Sequence, residues 1–320
     1  MSIQDNQLLQ YAYDEVIRFQ AQQARSALDG SVIRTYSRGE RKRHNLFGKV
    51  TPTQITSRFA PTPTMDVNQD TRWSVAVQYV TNVFFDRFDE MRTAITDVNS
   101  RLIQSEVRGL NRQKDIIIQQ AAGGTAITGQ TSGGSQVLPT TQFVQKGTGA
   151  HQFDEANPNG TGAVGLTYYK ILAAKGILEG QYGADVTGKL HCSLGSIEKQ
   201  TLIATTKTSS KWYVQEQVAP FATGQVPNLF DIQFHLVSED VVQLGTSGTT
   251  WTPGVGTDRV SFLWFDDGIS LDVNEDYFTR IVEDKDHNFA WQLYSRMTLG
   301  GVRLDDKAVV LVYNDPTTMF

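Results

Sequence analysis

An α+β fold with projecting arms is predicted by three features of the 320-residue chain. An extended stretch near the start alternates like two strand arms around a proline-rich turn. A single amphipathic run over 97–122 is far longer than the mean globular helix. From 166 onward, helical and strand patterns interleave, as in a layered α/β region.

Composition sets the class. Hydrophobic residues make up 39% and charged residues 20%, a globular balance rather than a disordered one. The 27 glycines against 9 prolines point to many turns. A net charge of −5 argues against a dedicated nucleic-acid binder, which would be basic. Cys192 is the single cysteine, so no intramolecular disulfide forms and a reducing compartment fits. The N-terminus lacks a basic region followed by an apolar run. No stretch reaches the roughly 20 apolar residues of a spanning helix. A soluble protein, cytosolic at synthesis and without a membrane partner, is expected.

Residues 3–27 carry Leu8, Leu9, Tyr11, Tyr13, Val16, Ile17 and Phe19 at helical spacing. Gly30 ends that run. Such a helix has little core of its own and needs another surface. Arg34, Arg38, Arg41, Lys42, Arg43, His44 and Lys49 then form a basic stretch, interrupted by Glu40. Thr51, Thr53 and Ile55 on one side, and Trp73, Val75, Val77 and Tyr79 on the other, predict the two arms of a long hairpin. A hairpin without a core is marginal alone in water, so it belongs on a neighbouring surface.

Residues 86–95 predict a short helix. In the long run, Asp97 is the N-cap, and Ile103, Val107, Leu110, Ile117 and Ala121 form the stripe, with Lys114 in its gap. Gly123 and Gly124 stop it. Its length is roughly 35–40 Å. Residues 123–165, rich in Gly, Thr, Ser and Gln, predict a long loop with at most short strands. Beyond it, LTYYKILAAKGILEG is helical, KLHCSLG a strand, and SIEKQTLIATTK a helix capped by Ser196. FDIQFHLVSE and VSFLWF are strands. WQLYSRMTLGGVRL and AVVLVYN close the chain around an Asp305–Asp306 turn.

No motif for chemistry survives inspection. Gly183 to Leu190 approximates a phosphate-binding loop, but Leu190 stands where a Ser or Thr would hold Mg²⁺, and the element order is reversed. Asp272, Asn274, Asp276 and Glu283 have calcium-loop spacing, yet Tyr277 replaces the turn glycine. His44, His151, His191, His235 and His287 make no H-E-x-x-H pair. His191 and Cys192 are neighbours in a strand and so point to opposite faces. Asp266–Asp267–Gly268 is a turn. No nucleophile elbow or dinucleotide fingerprint is present. Neither a cofactor nor a metal is expected, and no catalytic residue is assigned. The basic stretch 34–49 is the best partner-binding feature. It is either a solvated loop or an electrostatic dock for the acidic surface of another copy, with DNA ranked last.

The order of arm, hairpin, long helix, α/β region and two closing strands resembles the major capsid proteins of tailed bacteriophages, the Hong Kong 97 (HK97-like) capsid fold, and in particular a podophage coat subgroup. The segments that carry this are NLFGKVTPTQITSRFAPTPT, VNSRLIQSEVRGLNRQKDIIIQQAAG, LTYYKILAAKGILEG and WQLYSRMTLGGVRLDDKAVVLVYND. The resemblance implies an N-terminal arm at 1–30 and an extended E-loop at 31–80. It implies a peripheral domain at 81–165 and 286–305, with a spine helix at 97–122. An axial domain would take 166–285 and 306–320. It implies a structural protein that self-assembles as pentamers and hexamers into an icosahedral head around double-stranded DNA. Scaffolding and portal proteins, and in some relatives a decoration protein, would be partners; packaged DNA would be touched non-specifically. The virion capsid, assembled in the host cytoplasm, is the implied location. Arg34, Arg38, Arg41, Lys42, Arg43, Lys49, Arg58 and Trp73 are the expected inter-subunit contacts. Competing readings are a tail, baseplate or adaptor protein, a binding module, and a cytosolic enzyme.

Overall fold

The computed structural model describes residues 22–58, 61–62, 64–85, 98–146, 165–182, 188–204, 228–248, 250–287 and 289–316. In chain order, the first strands are β1 (Ile33–Tyr36), β2 (Arg41–Phe47), β3 (Gln69–Val75) and β4 (Val77–Phe85). Helix α1 (Val98–Gly123) follows, then β5 (Ala126–Thr128), β6 (Gly134–Gln136) and β7 (Phe143–Val144). Next come α2 (Tyr168–Tyr182), β8 (Leu190–Leu194), α3 (Ser196–Ala204), β9 (Asn228–Leu229), β10 (Ile232–Leu236) and β11 (Gln243–Gly245). The last strands are β12 (Asp258–Phe265), β13 (Ile269–Asp284), β14 (Ala290–Arg303) and β15 (Val309–Asn314).

These strands make three sheets. One has the order β1-β13-β14-β4, a second β2-β3-β5-β6. The third is seven-stranded, ordered β7-β15-β12-β8-β10-β9, with β11 also on β12. Strands of the third sheet are nearly continuous apolar runs because both faces are covered. Alternate residues divide between two cores. Val260, Phe262, Trp264, Val309, Leu311 and Tyr313 pack toward α1 and the first sheet. Leu263, Phe265, Val310 and Val312 join Cys192, Leu202 and the buried α2 residues Ile171, Ala174 and Leu178.

Helix α1 lies between the first sheet and the seven-stranded one, so its C-terminal half is buried on more than one side. Leu110, Ile117, Ile118 and Ala122 carry the apolar contact. Gly301 of β14 brings that strand close: a Cβ there would sit 2.8 Å from the Ala121 Cβ. The side chain of Arg303, fully buried, donates to the carbonyls of Ala122 at 2.8 Å and Gly124 at 2.7 Å. A cation at a helix C-terminus complements the exposed carbonyls and the dipole.

Several expectations change. Residues 22–28 are not helical; the rest of the predicted helix 3–27, the helix at 86–95 and Asp97 lie outside the described residues. Thr51, Thr53 and Ile55 are not in a strand. The arm that pairs with β3 is β2, running Arg41–Phe47 opposite Val75–Gln69. Thus the basic stretch is largely strand, not loop. Its alternation escaped notice because both faces carry polar residues. Ser196 begins α3 rather than capping it. The cap is the Glu239 carboxylate, which accepts from the Ser196 amide at 3.0 Å and from its hydroxyl. The expected boundary at 285–286 divides β13 from β14, which pair from Ile269↔Arg303 to Asp284↔Ala290.

Candidate assembly interface and its anchors

Strands β2 and β3 form an arm whose ends are tied at Gly48, where its amide donates to the Asn68 carbonyl at 2.7 Å. Beyond that tie, residues 49–58 form neither helix nor strand. Phe47, Val50 and Ile55 are 74%, 57% and 56% exposed. Isolated exposed apolar side chains are ordinary, but a projecting segment that carries several of them presents contact surface. On the outward face of β2, Arg41 and Arg43 are exposed. The Arg43 guanidinium lies 6.0 Å from the Trp73 ring centroid across the strand pair. The Trp73 indole donates to the Gly129 carbonyl at 2.6 Å. A groove lined by Trp73, Val75, Val77, Tyr79, Ile117 and Ala121 runs beside the root of this arm.

The arm's other face meets the body through charge. Asp272 of β13 is 2% exposed and accepts from Lys42 at 3.3 Å, His44 Nε2 at 2.8 Å and Ser270 at 3.0 Å. Thr35 and Ser74 donate to it as well. Burial opposes its ionisation, yet the hydrogen bonds from His44, Ser74 and Thr35 prevail and hold the carboxyl far below the usual carboxylate range. Two residues along β13, the Asn274 amide donates to the Gly39 carbonyl at 2.7 Å and accepts from Ser37. Gly39 has φ +120°, which suits only glycine well. Further on, Asp276 pairs with Arg34 and, at 3.0 Å, with Lys114 of α1. Burial raises the Asp276 pKa, but Lys114 and Arg34 bring it below its ordinary value.

A separate carboxylate holds the segment before β1. Asp115 of α1 is fully buried and accepts from the amides of Ala27 at 2.9 Å and Leu28 at 3.2 Å. The side chains of Gln23 and Ser26 also donate to it. Leu28, beside them, is buried in the main core.

The eight expected contact residues therefore part company. Arg34 and Lys42 are engaged inside the subunit, with Asp276, Asp29 and Asp272. Arg41 bonds Ser132 at 2.6 Å but remains exposed, as do Arg38, Arg43, Lys49 and Arg58. Trp73 is half-buried. The anchors Asp115, Asp272 and Asp276 were missed as such. Asp272 and Asp276 stood out in the sequence only by calcium-loop spacing, and Asp115 only as a carboxylate within a helical pattern.

The calcium-spaced residues and the His191–Cys192 pair lie in strands. Asp272 to Glu283 is one β-strand, so those carboxylates are spread over roughly 35 Å at about 3.3 Å per residue. Residues 183–187 of the phosphate-loop candidate lie outside the described residues. His191 and Cys192 diverge: His191 meets His235 at 2.9 Å, while Cys192 packs in the second core and burial pushes its thiol up. Among the described residues no cluster of His, Cys, Asp and Glu is arranged to hold a metal. No described helix is long and apolar enough to cross a membrane.

Comparison with solved structures gives the same architecture over nearly the whole chain. The capsid of a native GTA particle matches with TM-score 0.68 at 12% identity, covering 97% of this chain and 97% of that one. The capsid of Ralstonia phage GP4 matches with TM-score 0.66 at 11% identity, covering 99% of each. The capsid of cyanophage P-SCSP1u matches with TM-score 0.65 at 15% identity, covering 96% of this chain and 93% of that one. No curated protein sequence gives a significant match. The sequence profile of the phage capsid protein family matches residues 6–315. The chain, with its HK97-like fold, belongs to the phage capsid protein family and is a structural protein of the virion shell, not an enzyme.

Proposed function

We propose that this chain is the coat subunit of an icosahedral phage head, gathered into pentamers and hexamers around the packaged double-stranded DNA. The observation that carries the proposal is the β2–β3 arm. It projects exposed Phe47, Val50 and Ile55 and the outward charges Arg41, Arg43 and Lys49, with no core of its own beyond its root. Such an arm gains stability by burying surface on another copy, and obligate interfaces of this kind run to thousands of Å². The chain's net charge of −5 supplies acidic surface for the basic arm to meet.

Within that reading, Arg38, Arg41, Arg43, Lys49, Arg58 and Trp73 contact neighbouring subunits. Arg34 and Lys42 act indirectly by fixing the arm. The peripheral domain comprises α1 with the sheet of β1, β13, β14 and β4. The axial domain comprises the seven-stranded sheet with α2 and α3. Assembly takes place in the host cytoplasm with a separate scaffolding protein and a portal. A decoration protein is a further partner in this reading, and DNA is contacted without sequence preference.

Electron microscopy of the chain expressed with its scaffolding partner tests this. Closed shells of uniform diameter are expected. Only small soluble particles under every assembly condition would contradict it.

A further inference from the structure

We infer that the Asp272–Asn274–Asp276 strip of β13 is the positioning element that sets the direction of the β2–β3 arm before subunits meet. This deepens the proposed shell-building role and rests on it. The strip is the same spacing that resembles a calcium loop. In the folded chain its polar groups are occupied by the chain itself.

Three positions of the strip grip three successive parts of the entering arm. Asp276 takes Arg34 on β1. Asn274 takes Ser37 and Gly39 at the bend between β1 and β2. Asp272 takes Lys42 and His44 on β2 and Ser74 on β3. The last grip matters most, because it binds both strands of the arm at once. It is also buried, so water competes poorly for its hydrogen bonds, and loss of the charge strands several donors.

Independent geometry fixes the same place. Gly300 of β14 pairs with Asp272. A Cβ built on Gly300 would lie 2.3 Å from the Val75 carbonyl oxygen. The arm therefore crosses β14 at backbone contact, directly beside the buried carboxylate. The Ala76 amide, donating to the Glu40 carbonyl at 2.8 Å, closes the root between the two arm strands. Little adjustment is possible at this crossing except by breaking the polar grip. An apolar root would slide; a charged, directional one gives a single resting angle, released only at the cost of unpaired buried groups.

The groups on the arm side of Asp272 are the Lys42 ammonium and the His44 imidazole. Those elsewhere on the strip are Arg34, Asp29 and Lys114 around Asp276. Replacing the Asp272 carboxylate by an amide removes the counter-charge of Lys42 and turns one of the two acceptor oxygens into a donor facing other donors, while the Asp276 group stays paired.

The test compares the full-length wild-type chain with Asp272→Asn by hydrogen–deuterium exchange of the unassembled subunit, and by electron microscopy of assembly products. Exchange in peptides covering 40–47 and 71–75 should quicken at least tenfold in the variant, with 259–265 unchanged. Its assembly products should be irregular or fewer. The double variant His44→Gln with Ser74→Ala, which keeps the buried carboxylate, should show the same local pattern more weakly and guards against a variant that does not fold. Unchanged exchange in the arm of the variants overturns the inference. A loosened arm that still builds wild-type shells overturns it too, since positioning would then be irrelevant to assembly. Failure of the wild type to build shells would instead contradict the proposed function, leaving the exchange result to judge the anchor.

Discussion

At the scale of single residues, the molecule uses buried charges as straps between segments distant in sequence. Asp115 ties residues 23–28 to α1, and Arg303 ties the end of α1 to β14. A buried group with several partners is costly to lose on one side only. Arg303→Met should lower the unfolding free energy by about 3–5 kcal/mol in urea titration, because the α1 carbonyls lose their donor and Asp306 keeps only Arg72 of its two guanidinium partners. Asp115→Ala should cost about 2–4 kcal/mol, with exchange protection lost first around Ala27 and Leu28. The His191–His235 pair predicts a pH effect. Burial and then His235 lower the His191 pKa to about 4, and burial lowers His235. The unfolded chain therefore binds more protons below its ordinary histidine pKa. The contribution of this pair should make stability fall as pH drops from about 6.5 to about 4; His191→Gln should reduce the slope in thermal melts across this range. These straps were illegible in the sequence. Asp115 falls off the apolar stripe of its helix, and its partners lie some 90 positions away.

At the scale of elements, α1 was the most legible. Its periodicity and its terminal glycines predict 97–122, and the helix runs Val98–Gly123. Leu110→Pro should remove a helical hydrogen bond at the centre of the core and cost more than about 3 kcal/mol. Loss of helical circular dichroism and of soluble expression is the expected outcome; a folded variant would refute the assigned role of α1. The strands VSFLWF and AVVLVYN were also plain, since they are apolar on both faces. The arm was legible as a hairpin but not in its register. Strand β2 alternates basic with basic and amide residues, so hydrophobic periodicity has nothing to detect. The length of β13 was hidden for a related reason. Beyond Asn274 the strand is mostly exposed and carries register shifts at Val273/Glu275 and Glu275/Phe278, which disrupt the two-residue pattern.

At the scale of the whole molecule, two cores share one seven-stranded sheet, and the arm leaves that body through a polar root. Among the exposed apolar residues, Phe47, Val50 and Ile55 lie on the arm and the segment beyond it. Reversing charge at Arg41, Arg43 and Lys49 together should leave circular dichroism and thermal stability close to wild type, within about 0.5 kcal/mol per site, yet abolish or slow assembly. Adding Lys42 to that set should also loosen the arm, because Lys42 faces Asp272 rather than a neighbour. The central claim is that this subunit is built to be completed by other copies of itself. Light scattering on the size-fractionated chain under assembly conditions tests it most directly. The account predicts particles at multiples of five or six subunits and megadalton shells; a stable monomer in every condition would contradict it.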